Sequence, residues 1–268
     1  MLAGTVPLRY GPRSVYPQDY PLMAETHFGF RTVSQDEKTR LVKGVFSSVA
    51  RRYDLMNDLM SGGIHRMWKD CLVRGMAARP GQIVLDLAGG TGDVAFRLAR
   101  QEEAPEVVVC DLNEEMVGVG RDRGIDRGLI QGIEWTVGNA ESLPFDNDVF
   151  DTCCIAFGLR NVTRPMDALA EIRRVLRPGG RFFCLEFSKV ILPGLDKLYD
   201  AYSFSVLPKI GRLVARDEAS YRYLAESIRQ FPDQEGLAAM MRRAGFGAVT
   251  YENWSGGIVA LHSGRAPA

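Results

Sequence analysis

From residue 83 onward, short apolar runs alternate with segments whose apolar positions recur every three or four residues. The runs at 83–86, 106–110, 133–137, 149–156 and 181–187 predict strands. The segments at about 93–101, from 113 and from 165 predict helices. Thr163-Arg164-Pro165 opens the last of these with proline at an early position, and Leu169, Ile172, Val175 and Leu176 form its apolar face. Arg177-Pro178-Gly179-Gly180 reads as its stop. Repeated alternation with short connections predicts a mostly parallel sheet covered on both faces, an α/β class of fold. A helix at 233–243 and strands at 248–252 and 257–262, joined through Ser255-Gly256-Gly257, read as a helix and a closing hairpin.

Two further stretches frame this unit. Residues 37–56 carry Val42, Val45, Phe46, Val49, Tyr53 and Met56 on one helical face, and a second helix is expected over 64–77 with Ile64, Met67, Trp68, Cys71 and Leu72 buried. A helical cap over 37–80 is the expectation, placed where it can close over a ligand. Polar residues crowd at its junction: Tyr53, Asp54, Asn57, Asp58 and His65. The other stretch, Ser188 to Phe231, is too long for a plain connection and rich in Leu198, Tyr199, Tyr202, Phe204, Tyr221 and Tyr223. It predicts a pocket for a large apolar ligand drawn from a membrane surface, or else extra helices packed on the sheet. The core is then 81–187 with 232–263, in a single domain over 26–268. Residues 1–25 read as a leader outside it, with Met23 an alternative start.

Composition narrows the partners. Lys plus Arg and Asp plus Glu both number 33, which gives no electrostatic footprint for nucleic acid. Cys71, Cys110, Cys153, Cys154 and Cys184, five in all, show no metal-ligand spacing and read as thiols of a reducing compartment. His27, His65 and His262 lie far apart, so no metal is expected. A cytoplasmic location follows from the thiols. Arg9 and Arg13 without early acids leave a mitochondrial-matrix reading open as the lesser alternative.

The chemistry centres on VLDLAGGTGD, Val84 to Asp93, a strand, tight turn and helix start of the kind that holds nucleotide-like cofactors. The dinucleotide fingerprint has three glycines at set spacing. Here the order is Asp86, Ala88, Gly90 and Gly92, with an acid at the start of the turn that suits an ammonium group and repels a pyrophosphate. S-adenosylmethionine is the cofactor expected, with NAD the competing reading. Asp86 pairs with the ammonium directly or through water, and the Gly90-Thr91-Gly92 turn takes the carboxylate. Asp111 closes the second strand where a carboxylate accepts ribose hydroxyls, and Asn139-Ala140 meets adenine. Phe157-Gly158-Leu159-Arg160-Asn161 follows the fourth strand and directs Arg160 and Asn161 at the transferred group.

These blocks resemble the UbiE/COQ5 family of menaquinone and ubiquinone biosynthesis C-methyltransferases. The resemblance runs from about Thr26 to His262. It is carried by YDLMNDLMSGGIHRMWK from Tyr53, DLAGGTGD from Asp86, NAESLPF from Asn139, FGLRNVT from Phe157, LEFSK from Leu185, YDAYSFSVLPKIG from Tyr199 and ARDEASYRYLAESIRQFPDQ from Ala215. It implies a class I S-adenosylmethionine-dependent methyltransferase fold, Rossmann-like, with seven strands of which one is reversed. It implies methylation of a ring carbon of a polyprenyl hydroquinone, demethylmenaquinol or 2-methoxy-6-polyprenyl-1,4-benzoquinol, with S-adenosylhomocysteine as product and no metal. The family's cofactor contacts fall on Thr91, Asp111, Asn139 and Ala140. Ala156 replaces a serine of one family pattern, which leaves a backbone contact there. Arg160 is the expected phenolate stabiliser. Asn161, Asp58 and His65 compete for the proton, and Tyr53, Asn57, Phe157, Tyr199, Tyr202 and Tyr221 are the candidate acceptor contacts. A peripheral contact with the inner face of the cell membrane, and a homodimer or a quinone-biosynthesis complex, are the partners this implies. A non-catalytic cofactor-binding scaffold is the rival class.

Overall fold

The computed structural model of the chain describes residues 25–50, 57–58, 61–194, 199, 202 and 218–268. Two short strands, β1 (Glu25–Phe28) and β2 (Arg31–Ser34), form an antiparallel hairpin that the apolar pattern did not announce. Ser34 then caps helix α1 (Gln35–Val49) by accepting the Glu37 amide. The expected helix over 37–56 is thus helical over its first part, and its end, with Tyr53 and Met56, lies outside the described residues. Helix α2 (His65–Met76) follows.

The α/β unit comprises β3 (Ile83–Leu87), α3 (Asp93–Ala99), β4 (Glu106–Asp111), α4 (Glu114–Asp126), β5 (Ile133–Val137), β6 (Phe150–Ala156), α5 (Pro165–Val175) and β7 (Leu176–Phe187). Helices α6 (Glu218–Gln230) and α7 (Gln234–Arg243) precede β8 (Gly247–Trp254) and β9 (Val259–Arg265). The sheet has seven strands in the order β5-β4-β3-β6-β7-β9-β8. Strands β3 to β7 pair in parallel, while β9 runs antiparallel to both its neighbours. One reversed strand in seven is the class I methyltransferase arrangement.

The stop expected at Arg177–Gly180 takes a different form. Strand β7 begins at Leu176 and runs through Pro178-Gly179-Gly180, with a register break opposite Phe150 and Thr152. Proline and glycine here make a bulge at a strand start, where a missing amide is tolerated.

Two apolar layers enclose the sheet. On one face Trp68 and Leu72 of α2, Val94 and Leu98 of α3, and Tyr221 and Leu224 of α6 pack against Val84, Val109 and Leu185. On the other, Leu169 and Ile172 of α5 and Leu237 and Met241 of α7 pack against Leu85, Cys153 and Phe182. Continuous burial along β3 fits a strand covered on both sides. All five cysteines are free thiols; Cys110, Cys153, Cys154 and Cys184 are buried within the sheet and Cys71 is half-exposed on α2. No helix among the described residues is long and apolar enough to cross a membrane.

Candidate active site

Strand β3 lies between β4 and β6, so the connections that leave β3 and β6 run to opposite edges of the sheet. Their loops part at the carboxyl ends of the strands and leave a crevice. Its walls are Leu87 and Ala88 after β3, Asp111 and Leu112 at the end of β4, Gly138 to Glu141 after β5, and Phe157, Gly158 and Asn161 after β6. Thr39, Val42 and Phe46 of α1 form the roof. Hydrogen bonds hang that helix from both rims. Lys38 Nζ donates to the Val162 carbonyl at 3.0 Å, and the Thr39 and Thr163 hydroxyls lie 2.9 Å apart. On the opposite rim Asn113 Nδ2 donates to the Lys43 carbonyl at 3.2 Å and to Ser47 Oγ at 3.0 Å.

Two non-glycine residues in the wall have left-handed backbones, Ala88 at φ 52° and Phe157 at φ 59°. Each conformation costs about 1 kcal/mol, and strain of this kind concentrates at functional sites. Between them, Gly158 lets the loops touch: a Cβ there would stand 2.7 Å from the Ala88 Cβ.

Asp111 sits in this wall with its orientation fixed. Oδ2 accepts the Gly90 amide at 2.9 Å and Oδ1 accepts the Asn113 amide at 2.8 Å. Burial pushes its carboxyl up, and the backbone donors of Asn113, Gly90 and Leu112 oppose that. Asn139 Oδ1 accepts the Glu141 amide at 3.0 Å, and Glu141 is held in turn by the amide and guanidinium of Arg164. Asp111, Asn139 and Ala140 are therefore the expected cofactor residues that the structure brings to one crevice.

The rest of the glycine loop is placed differently from the expectation. Asp86 is 1% exposed and lies beneath α3, where Oδ2 accepts the Ala95 amide at 3.2 Å and the Cys154 thiol approaches Oδ1 at 3.7 Å. Burial pushes its carboxyl up to about 7, against the Ala95 amide and the charge of Lys69. It is not on the crevice wall, so direct pairing with an ammonium is not the arrangement found. Thr91 is buried with Oγ1 accepting from Arg123 at 3.0 Å. The Gly90 amide is committed to Asp111, and a side chain on Gly92 would run into the ring of Trp135. These three residues build the turn and its packing. Ala156 packs against the α2–α3 layer behind the wall.

The candidates for chemistry separate into three groups. Arg160 is buried and points away from the crevice: Nη1 donates to Glu186 Oε1 at 2.7 Å and to the Phe157 carbonyl at 2.6 Å. Burial pushes the Glu186 carboxyl up while the Arg160 charge pulls it down. Asn161 does face the crevice, and its Oδ1 accepts from the Tyr223 hydroxyl at 3.0 Å. His65 and Asp58 form a separate pair at 2.9 Å, with Arg66 clamping the same carboxylate at 2.9 and 2.7 Å. The Arg66 bonds bring Asp58 down to about 2, and burial together with the Lys69 charge lowers His65, so the imidazole is neutral at pH 7. Neither residue lines the crevice. Lys69, also buried, binds Asp93 at 2.8 Å and lies 6.0 Å over the Phe157 ring, which ties α2 to the helix after the glycine loop.

Of the acceptor candidates, Phe157 lines the crevice, while Tyr221 is 1% exposed within the apolar core and is not a wall residue. Tyr199 lies under the guanidinium of Arg229 at 5.3 Å, and Tyr202 packs against the α2–α3 layer. The Asn57 carbonyl accepts from Ser61 Oγ at 2.8 Å, and Tyr53 lies outside the described residues. Sequence reasoning missed Glu186 and Tyr223. An acid within the apolar run of β7 was the available signal for the first, since a buried carboxylate requires a partner.

Comparison with known proteins gives a consistent result. The profile of the ubiE/COQ5 methyltransferase family matches residues 31–266. The ubiquinone/menaquinone biosynthesis C-methyltransferase UbiE of Paracoccus denitrificans (strain Pd 1222) is 57% identical over 240 residues, covering 90% of this chain and 96% of that protein. Among solved structures, a SAM-dependent methyltransferase from Aquifex aeolicus superposes with a TM-score of 0.57 at 15% identity, covering 79% of this chain and 96% of the other. The [4+2]-cyclase SpnF superposes at 0.56 and 21% identity, covering 74% and 82%. The last two likenesses are of fold alone. A cyclase on the same fold shows why the architecture by itself does not name the reaction.

Proposed function

The chain belongs to the ubiE/COQ5 methyltransferase family, and on that premise we propose how its crevice serves S-adenosylmethionine-dependent C-methylation in quinone biosynthesis. The observation that carries the cofactor assignment is the charge of the wall. Among the described residues it holds the carboxylate of Asp111, that of Glu141 already paired with Arg164, and no Lys, Arg or His. A crevice with an acid, apolar walls and no cation in its lining suits a nucleoside bearing a cation better than a pyrophosphate, which favours S-adenosylmethionine over NAD. Asp111 accepts from the ribose hydroxyls, Asn139 and Ala140 meet the adenine, and Leu112 and Met116 cover its faces. Bound there, S-adenosylmethionine supplies an electrophilic methyl group on a sulfonium sulfur.

The acceptor is a polyprenyl hydroquinone, demethylmenaquinol or 2-methoxy-6-polyprenyl-1,4-benzoquinol. A ring carbon becomes nucleophilic when the adjacent hydroxyl loses its proton, here to water, and charge spreads to that carbon. The chain must then hold the ring in line and stabilise the phenolate oxygen. The methyl leaves sulfur as the new C–C bond forms, the ring carbon then loses its hydrogen as a proton to water and the oxygen regains one. Asn161 offers its amide to that oxygen from the crevice wall. Arg160 stands behind it as a guanidinium balanced by Glu186, and anchors the loop that carries Asn161. Helix α1 roofs the crevice and excludes water from it, and the prenyl tail is assigned to the segment 188–231, much of which lies outside the described residues. A lipid-soluble acceptor brings the chain to the inner face of the cell membrane as a peripheral protein.

The test is direct. The purified chain, given S-adenosylmethionine and a short-tailed demethylquinol, should yield by mass spectrometry a product in which one ring hydrogen is replaced by a methyl group. Tight cofactor binding with no product from either quinol would leave the scaffold reading in its place. Quinones extracted from cells lacking the gene name the acceptor: the precursor that accumulates is the substrate.

A further inference from the structure

We propose that Tyr223 is a positioning residue for the methyl transfer, its hydroxyl locking the Asn161 amide in the orientation that the Phe157 carbonyl selects, and that the β1–β2 hairpin holds Tyr223 for this task. The proposal rests on the methyltransferase reading above and extends it to a residue outside the crevice.

A side-chain amide presents a donor at one end and an acceptor at the other, and a half-turn exchanges them. Among the described residues the Asn161 side chain has two partners. Its Nδ2 faces the Phe157 carbonyl at 3.4 Å and its Oδ1 faces the Tyr223 hydroxyl at 3.0 Å. Turned over, the amide would set Oδ1 against the carbonyl, two acceptors without a proton between them. Tyr223 is 3% exposed, and burial pushes its phenol well above the usual range, so it keeps the proton it donates to Oδ1 and fastens the orientation that the acceptor-only Phe157 carbonyl selects. With Oδ1 turned to Tyr223 and one Nδ2 proton directed at Phe157, the second Nδ2 proton is left as a donor. A donor suits an oxygen that gains negative charge as its proton leaves.

Tyr223 is itself clamped by residues almost two hundred positions away. The Phe28 ring stacks on it at 4.1 Å with 12° between planes. One helical turn further on, Glu226 Oε2 accepts the Phe30 amide at 3.1 Å, and Gly29 between them has no room for a side chain against Glu226. A tyrosine that only filled space would not need its hydroxyl aimed at a polar side chain of the crevice wall.

The test separates a positioning role from a packing role. Tyr223→Phe keeps the ring and its stacking on Phe28 and deletes only the hydroxyl. It should lower kcat about tenfold with the melting temperature, the cofactor Kd and the quinol KM close to wild type. In Asn161→Ala the loss is larger, and adding Tyr223→Phe to it should change nothing further, since the tyrosine acts through the amide. Full turnover by Tyr223→Phe, or losses that simply multiply in the double variant, would overturn the proposal. A wild-type chain that transfers no methyl group to either quinol removes the catalytic reading and this proposal with it. Wild-type turnover with a silent Tyr223→Phe removes the proposal alone.

Discussion

Arg160 and Glu186 meet at 2.7 Å with only 4% and 1% of their side chains exposed. The same carboxylate accepts the Arg160 amide at 3.3 Å and the Phe187 amide at 2.9 Å. One buried acid on β7 therefore fixes both the backbone and the side chain of the loop after β6. Glu186→Ala would leave the guanidinium buried without its counter-charge, a cost of about 3–5 kcal/mol. A lower urea midpoint with an unchanged slope is the expected readout. Glu186→Gln keeps the shape and most hydrogen bonds, so it should unfold between the two while losing more turnover than cofactor affinity.

Asp86 predicts a pH dependence of its own. Its folded value of about 7 stands above the ordinary 3.8. The stability it contributes is therefore complete below about pH 4 and is lost as pH rises through 7, where a carboxylate forms inside the core. Asp86→Asn should raise the stability of the ligand-free chain, the gain growing by about 2–3 kcal/mol between pH 5 and pH 8. Denaturant unfolding at the two values checks this; a gain that shrinks toward pH 8 contradicts it.

The two buried histidines act in the opposite sense. Burial lowers both His65 and His262 below the ordinary 6.5. The unfolded chain takes up protons there before the folded chain does, so stability falls as pH drops below about 6.5. His65→Gln and His262→Gln should each reduce the loss between pH 7.5 and pH 5.5, and together more than either alone. The dependence of the melting temperature on pH measures it.

Gly158→Ala should damage the cofactor site before it damages the fold. The added methyl would stand 2.7 Å from the Ala88 Cβ and 3.1 Å from Ile155 Cγ1, forcing apart the loops that wall the crevice at a cost of about 1–3 kcal/mol. Calorimetric titration with S-adenosylhomocysteine should show at least about tenfold weaker binding.

The parallel sheet was legible because its strands are buried on both faces, and runs such as Ile83–Leu87 stand out against helical spacing. The β1–β2 hairpin was not. Strand β1 alternates exposed and half-buried positions and β2 buries only Val33, and contacts to Tyr223 and Glu226 far along the chain help to hold the hairpin. Within α6 the choice between Tyr221 and Tyr223 was beyond local pattern. Two residues apart on a helix they face different ways, and only the docking of α6 decides which one meets Asn161. The identity of the crevice residues after strands followed from topology, hence Asp111 and Asn139. The burial of Asp86 beneath helix α3 was not legible, because a motif gives a residue's position in a loop and not which way its side chain turns.

The cysteines supply a clock. Burial raises the thiols of Cys110, Cys153, Cys154 and Cys184 far above the ordinary value and seals them inside the sheet. A thiol-specific reagent at neutral pH therefore reaches Cys71 in the folded chain and the other four only when the strands separate. The first equivalent of label reports exposure of α2, and the remaining four report opening of the sheet, so the unlabelled chain already contains a mass-resolved probe of whether ligands in the crevice slow its unfolding.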